Sequence, residues 1–280
     1  MSDSPRNADL HCHSTASDGF LPPIEVVRRA HANGVDLLAL TDHDTLSGLD
    51  EAEAEAQRLE MGFVPGVEVS VTFARETVHI VGLGVDRQNA ALLAGLSGLR
   101  AGRDERARRM GKALEEAGLP GVYEGACAMA QNPEMVGRAH FARYIVSTGR
   151  MPDVSTVFRH YLGKGKPGYV EHEWAKLEDA VGWIRSAGGI AVVAHPARYG
   201  LDMHGLDHLF DRFVECGGEG VEVVSGSHSR DEVARYAELA LKRNLLASRA
   251  SDFHGVSESR MDLGQCPPLP SGLVPVWARL

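Results

Sequence analysis

The sequence predicts an α/β fold, a distorted (β/α)7 barrel of the TIM type that carries an inserted, mainly helical subdomain. Three observations predict it: short apolar runs recur seven times, helix-like stretches separate most of them, and this alternation stops over residues 87–170. The apolar runs are nearly continuous, which is typical of strands buried on both faces of a parallel sheet. An open doubly wound sheet is the alternative. The predicted barrel comprises residues 1–86 and 171–280, and the predicted insertion comprises residues 87–170.

The strands and helices are predicted in chain order from apolar runs and helix signals. One helix opens with proline and ends at Asn33-Gly34, and another is rich in Ala, Glu and Leu. His79 opens its apolar run instead of closing it, which indicates an antiparallel strand or one that begins earlier. The predicted strands are residues 8–13, 35–40, 63–70, 78–85, 189–194, 220–224 and 245–250. The predicted helices outside the insertion are residues 22–33, 47–60, 177–187 and 230–243.

Composition excludes several classes of protein. The 280 residues are 44% apolar and include 29 basic and 38 acidic side chains, which gives a net charge of −9. This negative charge argues against a protein that coats long nucleic acid or an anionic membrane. The apolar runs fall short of the ~20 residues that a membrane span needs, and residues 1–10 contain no signal core. We therefore expect a cytoplasmic protein with no membrane partner. Four scattered cysteines without CxxC spacing predict reduced thiols: Cys12, Cys127, Cys216 and Cys266.

Histidines and carboxylates collect at the ends of the predicted strands. His11 and His13 lie two apart on the first strand, so their side chains leave the same face. The carboxyl ends of parallel barrel strands meet at one rim, where catalytic residues usually lie. Each of these residues alone could be a cap or a turn residue, but their shared position predicts a metal centre. The predicted ligands are His11, His13, Asp18, His43, Glu68, His79, His195, Asp252 and His254.

The donor set restricts the ion and the chemistry. Imidazoles and carboxylates without thiolates suit Mn²⁺, Fe²⁺ or Zn²⁺ better than Ca²⁺, and nine candidates could hold two or three ions. Mn²⁺ is the favoured ion. Two ions ~3.5–4 Å apart can share a hydroxide and neutralise a phosphoryl oxygen, with a carboxylate such as Glu68 as the bridge. The pattern therefore predicts hydrolysis of a phosphate ester.

A basic segment inside the predicted insertion offers a site for substrate phosphates. Residues 135–170 contain six lysines and arginines against one acid, Asp153, a net charge of +5. Arginine and lysine side chains beside a metal rim would select a substrate with more than one phosphate. The alternative is a solvated helix face. We predict an exposed helix at 100–112 and surface or capping roles for His31, His204, His208 and His228. The predicted substrate-binding residues are Arg138, His140, Arg143, Lys164 and Lys166.

The motifs together resemble those of the polymerase-and-histidinol-phosphatase (PHP) family along nearly the whole chain. The family has a distorted seven-stranded barrel with up to three clustered metals, so the resemblance implies the same here. The matching motifs are Asp9-Leu10-His11-Cys12-His13-Ser14, Asp18-Gly19, Thr41-Asp42-His43-Asp44, Gly66-Val67-Glu68, Val78-His79, Ala194-His195-Pro196 and Ser251-Asp252-Phe253-His254.

The resemblance also implies roles for individual residues. His11, His13, Glu68 and Asp252 would hold a first ion. Glu68 would bridge to a second ion held also by His79 and His195, and Asp18, His43 and His254 would hold a third. Asp42 and Asp44 would orient the ligands. A hydroxide bridging the metals would attack phosphorus, which makes Glu68, His195, Asp252 and His254 the predicted catalytic residues.

Within the family, two motifs of the basic segment resemble one subgroup. Residues 137–143 and 163–170 are similar to motifs of proteins acting on nucleotide 3′,5′-bisphosphates and on 5′-phosphorylated oligoribonucleotides. The predicted function is release of phosphate from a nucleotide 3′,5′-bisphosphate, with 5′→3′ exoribonuclease activity on short 5′-phosphorylated RNA as the alternative. Histidinol phosphate phosphatase is a weaker alternative. A non-catalytic, metal-stabilised binding module and an amidohydrolase acting on C–N bonds are the remaining hypotheses.

Overall fold

A computed structural model describes residues 7–280, so the predicted lack of a signal core lies partly outside the described residues. Seven strands form one sheet in the chain order β1 to β7. Neighbouring strands pair in parallel, except that β4 runs antiparallel to both β3 and β5, as the early position of His79 indicates. The strands are β1 (Ala8–Asp9), β2 (Leu37–Leu40), β3 (Gly62–Phe73), β4 (Glu76–Leu83), β5 (Ile190–Val193), β6 (Gly220–Ser225) and β7 (Leu246–Ala250).

The chain segments at β1 and β7 join the two edges of the sheet. The backbone N–H of Leu10 donates to the carbonyl of Arg249 at 3.1 Å, and that of Asp252 donates to the carbonyl of His11 at 2.9 Å. Closing a sheet removes its exposed edges, which would otherwise present unpaired backbone groups. The predicted (β/α)7 fold class is therefore confirmed, and the open doubly wound sheet is not formed.

Alternate residues of the strands face two different cores. In β2, Leu37 and Ala39 lie in a cluster inside the barrel, while Leu38 and Leu40 pack against α1 and α2. Both faces are thus buried, which is why the sequence of this strand is continuously apolar. The helices are α1 (Pro23–Ala32), α2 (Leu49–Arg58), α3 (Ala90–Glu116), α4 (Val122–Met129), α5 (Arg138–Ser147), α6 (Val154–Val157), α7 (Leu177–Ser186), α8 (Met203–Glu215) and α9 (Arg230–Arg243). Short turns of 3₁₀-helix lie at Pro133–Met135, Pro196–Arg198 and Val276–Ala278, and a π-turn lies at Phe158–Leu162.

The 27-residue helix α3 connects two hydrophobic cores. Its first half places Leu92 and Leu96 in the core around the barrel, together with Ile184 of α7. Its second half places Met110 in a separate core with Phe141 of α5. The single continuous helix α3 therefore links the core around the barrel to the core formed with α4, α5 and α6.

The structure differs from the sequence predictions in three elements. The first strand ends at Asp9 instead of residue 13, because the following residues make irregular contacts with the chain after β7. The helix predicted to be exposed at 100–112 buries Arg103 and Arg106. His204 and His208 lie in α8, a helix that is absent from the predicted elements. Across residues 7–280, none of the helices combines the length and apolar character needed to cross a membrane.

Candidate metal centre

The nine predicted ligands meet at one rim of the barrel. His11, His195 and Asp252 follow β1, β5 and β7, and so lie where parallel strands end. Glu68 lies within β3, and its backbone pairs with that of His43, which follows β2, in an isolated parallel β-bridge. Because β4 is antiparallel, its beginning lies at the rim where its neighbours end, and this places His79 there. The structure therefore brings all nine side chains together.

Glu68 lies at the centre of the cluster, fully buried. Its Oε1 is 2.8 Å from His79 Nδ1 and 3.0 Å from His195 Nε2. Its Oε2 is 2.8 Å from His43 Nδ1 and 3.3 Å from His13 Nε2. Burial opposes its ionisation, but the charges of the surrounding histidines hold the pKa of Glu68 well below its usual range. The two oxygens thus face different histidines, which is the geometry of a bridging carboxylate.

Two aspartates complete the cluster on either side of His13 and His254. Asp252 Oδ1 is 3.4 Å from His13 Nε2 and 3.6 Å from His254 Nδ1. Asp18 Oδ1 is 3.5 Å from His254 Nε2 and 3.8 Å from His13 Nδ1. Burial lowers the pKa of His13 to about 3, so its ring is neutral and able to act as a ligand near neutral pH.

Unpaired polar atoms test whether these residues fit metal ions. Leaving one buried polar atom without a hydrogen bond costs ~1–3 kcal/mol, so several such atoms in one place call for an explanation. Divalent cations bound among them would give several of these atoms a partner, and the imidazole and carboxylate donors suit such cations. The cluster therefore fits a centre for divalent metals. Some of these atoms lie near an oppositely charged neighbour, such as His43 Nδ1 at 2.8 Å from Glu68 Oε2, but without the geometry of a hydrogen bond. The buried atoms of the cluster that lack a hydrogen bond are His13 Nδ1, Asp18 Oδ1, His43 Nδ1, Glu68 Oε2, His79 Nδ1, His195 Nδ1 and Asp252 Oδ1.

The backbone at the rim is strained at three positions. Asp44, His195 and Asp252 have positive φ values of 47°, 25° and 54°, which side chains other than glycine seldom adopt. Hydrogen bonds hold them there: the Asp252 N–H donates to the His11 carbonyl at 2.9 Å, and the Asp44 N–H donates to the Glu68 carbonyl at 2.9 Å. Strain of this kind is characteristic of functional sites.

Two further aspartates fix the loops that carry ligands. Asp42 accepts hydrogen bonds from the Ser14 N–H at 2.8 Å and from the Ser17 hydroxyl at 2.5 Å. Burial raises the pKa of Asp42 to about 6, against the effect of these hydrogen bonds. Asp44 accepts from the Ser70 N–H at 2.8 Å and also from Arg103. Both contacts agree with the orienting roles that the family resemblance implies.

Glu222 of β6 is a site residue that the sequence prediction missed. It is buried, its Oε1 accepts from His11 Nδ1 at 2.6 Å, and its Oε2 accepts from the backbone N–H of His195 at 2.7 Å. The hydrogen bond at His11 Nδ1 orients the ring so that Nε2 points into the cluster. The available signal was an acid within the otherwise apolar strand GVEVV.

The predicted substrate-binding residues have different environments. Arg143 makes a bidentate pair with Glu258, with both distances 2.7 Å, and Lys164 pairs with Glu76. His140 is buried, and its Nδ1 accepts from the Gly137 N–H at 3.1 Å. Arg138 begins α5 and lies near enough to Asp18 for the two charges to interact. Lys166 is exposed.

Three further arginines near the cluster were not predicted. Arg103 and Arg106 flank Trp174, with guanidinium carbons 4.8 and 5.3 Å from the ring centroid. Arg103 also pairs with Asp44, and Arg198, which is half-exposed, pairs with Asp252. Burial, with the charges of Arg138 and Arg103, lowers the pKa of Arg106 to about 9. We call Arg103, Arg106, Arg138 and Arg198 the arginine group.

The fold and the site define a class, a seven-stranded barrel with a histidine and carboxylate metal centre at its rim. The chain belongs to the PHP domain family, whose model matches residues 9–184. It is 53% identical over 274 residues to the 3′,5′-nucleoside bisphosphate phosphatase of Chromobacterium violaceum, covering 98% of this chain and 96% of that protein. It is 41% identical over 271 residues to a 5′-3′ exoribonuclease of Haemophilus influenzae, covering 97% and 98%. A solved structure of an amidohydrolase from Chromobacterium violaceum with bound sulfate and no metal is 52% identical, with a TM-score of 0.95, covering 98% of this chain and 95% of that one.

Proposed function

We propose that the protein is a divalent-metal-dependent phosphatase that releases phosphate from nucleoside 3′,5′-bisphosphates, such as adenosine 3′,5′-bisphosphate to AMP. The observation that carries this proposal is the contact between the metal-ligand cluster and the arginine group. Arg103 pairs with Asp44, next to His43, and Arg198 pairs with Asp252. A substrate with two phosphates can place one at each of these adjoining regions. The likeness to the bisphosphate phosphatase supports the same substrate class.

Each region has a distinct task in this reaction. Divalent ions, when bound, supply an activated water at neutral pH and neutralise charge on a phosphoryl oxygen. Arg198 can reach a phosphate held at the cluster, because 49% of its side chain is exposed while it stays paired with Asp252. Arg106 is buried, and its Nε has no hydrogen-bond partner within the protein. The guanidinium groups of Arg106 and Arg138 would together donate charged hydrogen bonds to the second phosphate.

The assignment of ligands to ions follows from Glu68. Its Oε1 faces His79 and His195 and its Oε2 faces His13 and His43, which supports a bridge between two ions. Asp18, with His43 and His254, forms a further group that suits a third ion. We favour Mn²⁺, with Fe²⁺ or Zn²⁺ as alternatives, and a set of imidazoles and carboxylates without thiolates suits all three ions. The catalytic assignment remains Glu68, His195, Asp252 and His254.

Two other features of the protein belong to the same proposal. Residues 87–170 act as an inserted subdomain for phosphate recognition, and the support is their separate core and the arginines of α3 and α5. The cytoplasm is the proposed location, and the support is the four free cysteines, since that compartment keeps thiols reduced.

A 5′→3′ exoribonuclease acting on short 5′-phosphorylated RNA is the second candidate. The likeness to the Haemophilus influenzae exoribonuclease favours it, and so does the basic loop at 163–168, where Lys166 is exposed. Histidinol phosphate and C–N amide substrates fit less well, because neither carries a second phosphate for the arginine group.

Phosphate release from defined substrates tests the proposal. We expect the Mn²⁺-loaded protein to remove the 3′-phosphate of adenosine 3′,5′-bisphosphate, and to prefer it over 3′-AMP by about tenfold or more because 3′-AMP lacks the second phosphate. Absence of turnover with bound metal verified by elemental analysis would contradict the proposal. Product lengths from an end-labelled, 5′-phosphorylated oligoribonucleotide distinguish the exoribonuclease.

A further inference from the structure

Phe20 is a large apolar side chain that lies exposed beside the metal centre. It follows the ligand Asp18 by two residues, and its backbone N–H donates to the carbonyl of the ligand His254 at 2.6 Å. The turn from Asp18 to Phe20 is tight, because a Cβ at Gly19 would lie 2.4 Å from the His13 carbonyl oxygen. The position of Phe20 is therefore fixed relative to the ligands, yet 62% of the residue is exposed.

A second exposed apolar residue accompanies it. Val256 follows His254 by two residues and is 64% exposed. The two loops touch, because a Cβ at Gly255 would lie 2.9 Å from the Cβ of Phe20. We call Phe20, Gly255 and Val256 the apolar ledge. Burying such side chains would stabilise the protein, so their exposure next to a charged site indicates a ligand that covers them.

Arg143 positions the ring of the ledge. Its guanidinium carbon is 5.8 Å from the Phe20 ring centroid, at cation–π distance. Arg143 is itself fixed by its bidentate pair with Glu258 and by a 2.6 Å hydrogen bond to the Asp18 carbonyl. This explains why a predicted substrate-binding arginine has its donors engaged within the protein.

We propose that the apolar ledge is the platform on which the nucleobase of the substrate stacks. This inference rests on the proposed function, since the phosphates are held by the metal centre and the arginine group while the base extends beyond them. Every base has an apolar face, so stacking on one ring tolerates any base and suits both a nucleoside bisphosphate and the terminal nucleotide of a short RNA. Phe20 is thus a specificity-determining residue that selects nucleotides over sugar phosphates.

Binding and turnover with and without a base test the platform. Dissociation constants of the metal-loaded protein for AMP and for ribose 5-phosphate are measured by calorimetry. Kinetics are compared on adenosine 3′,5′-bisphosphate and on its abasic analogue, 1-deoxyribose 3,5-bisphosphate. We expect Phe20→Ala to weaken AMP binding and raise the KM of the nucleotide about tenfold, with kcat and both abasic ligands nearly unchanged. Phe20→Trp restores binding, and Phe20→Leu does so only in part.

Three results would overturn the platform. One is equal weakening of AMP and ribose 5-phosphate by Phe20→Ala, which would mean that the residue only shapes the Asp18 loop. Another is unchanged AMP binding in Phe20→Ala, and a loss of AMP binding in His172→Ala would then move the platform to the His172 and Trp174 pair. The third is a wild-type protein that binds AMP no more tightly than ribose 5-phosphate. Leu241→Ala, at a 60% exposed residue of α9, is the matched control for loss of an exposed apolar side chain.

The proposed function can fail separately. If the wild-type protein binds AMP through the ledge but releases no phosphate from adenosine 3′,5′-bisphosphate, then the substrate assignment is wrong and the platform stands. If it turns over the nucleotide and the abasic analogue with the same KM, then the platform is wrong and the phosphatase assignment stands.

Discussion

The barrel rim and the helical segment, residues 87–170, use charged residues in different ways. At the rim, charged and titratable side chains converge on one point, and Glu68 lies within 3.3 Å of nitrogens from five histidines. In the helical segment, charges are dispersed over separate partners: Arg143 to Glu258, Lys164 to Glu76 and Arg103 to Asp44. The rim is therefore built for chemistry at a single location, whereas the helical segment supplies a few charges around it.

Removing the central charge of the rim should have the largest effect. Glu68→Gln keeps the shape of the side chain but removes the anion between the histidines. We expect metal content to fall and turnover to drop on the order of 10³-fold, the scale on which charge stabilisers of phosphoryl transfer act. Elemental analysis and phosphate release check this. Glu51→Gln, an exposed glutamate of α2, is the control, and full metal content with near-normal turnover in Glu68→Gln would contradict the bridging role.

Weakening the support beneath the rim should have a smaller effect. Glu222→Gln can accept only one of the two hydrogen bonds that the carboxylate accepts from His11 and His195. We expect metal affinity to fall about 10–100-fold, as for other residues that orient metal ligands. Competition with a metal buffer measures this directly.

Glu219→Gln is the matched control for Glu222→Gln, because Glu219 precedes the same strand and pairs with Arg279 at the surface. A purely structural role for Glu222 would instead lower the free energy of unfolding of the chelated protein and leave metal affinity unchanged.

The same contrast explains which features could be predicted from the sequence. Most of the nine rim residues were predicted because they lie at or next to the ends of predicted strands, which are local features, and closure of the barrel brings strand ends together. The helix α8 also has a local signal, Leu206, Leu209, Phe210 and Phe213 at helical spacing, which its histidines and glycine obscured. The partners of Arg143 and Lys164 lie 115 and 88 residues away, and no local pattern specifies such pairs. For Arg103 and Arg106, the spacing with Leu99 and Met110 on one face of α3 was the missed signal.

Neutralising one arginine of the helical segment tests whether its charge serves binding. Arg106→Met removes a buried guanidinium whose Nε lacks a partner. We expect the KM for adenosine 3′,5′-bisphosphate to rise about tenfold, the loss of a charged hydrogen bond, with little change for 3′-AMP. The free energy of unfolding should stay constant or rise, because a costly buried charge is removed.

Arg109→Met, at an exposed arginine of the same helix, is the control for Arg106→Met. Lower stability together with an unchanged KM would show that Arg106 serves the core instead of the substrate.

His140 gives the smallest expected effect, a dependence of stability on pH. Burial lowers its pKa from 6.5 to about 4. The folded protein therefore holds the neutral ring, and the stability this contributes is present above pH 6.5 and is lost as pH falls towards 4. Between pH 7 and pH 5.5 the loss amounts to ~1 kcal/mol.

His140→Gln keeps an acceptor for the Gly137 N–H but has no titrating group, so its unfolding free energy should fall less over this range. Urea unfolding of the chelated wild-type and variant proteins at the two pH values measures the difference, and chelation removes the contribution of metal release in acid. His31→Gln, at an exposed histidine of α1, is the matched control. If His140→Gln and the wild type showed equal pH dependence, His140 would be solvated and able to carry charge towards the substrate. The helical segment would then resemble the rim more than its contacts indicate.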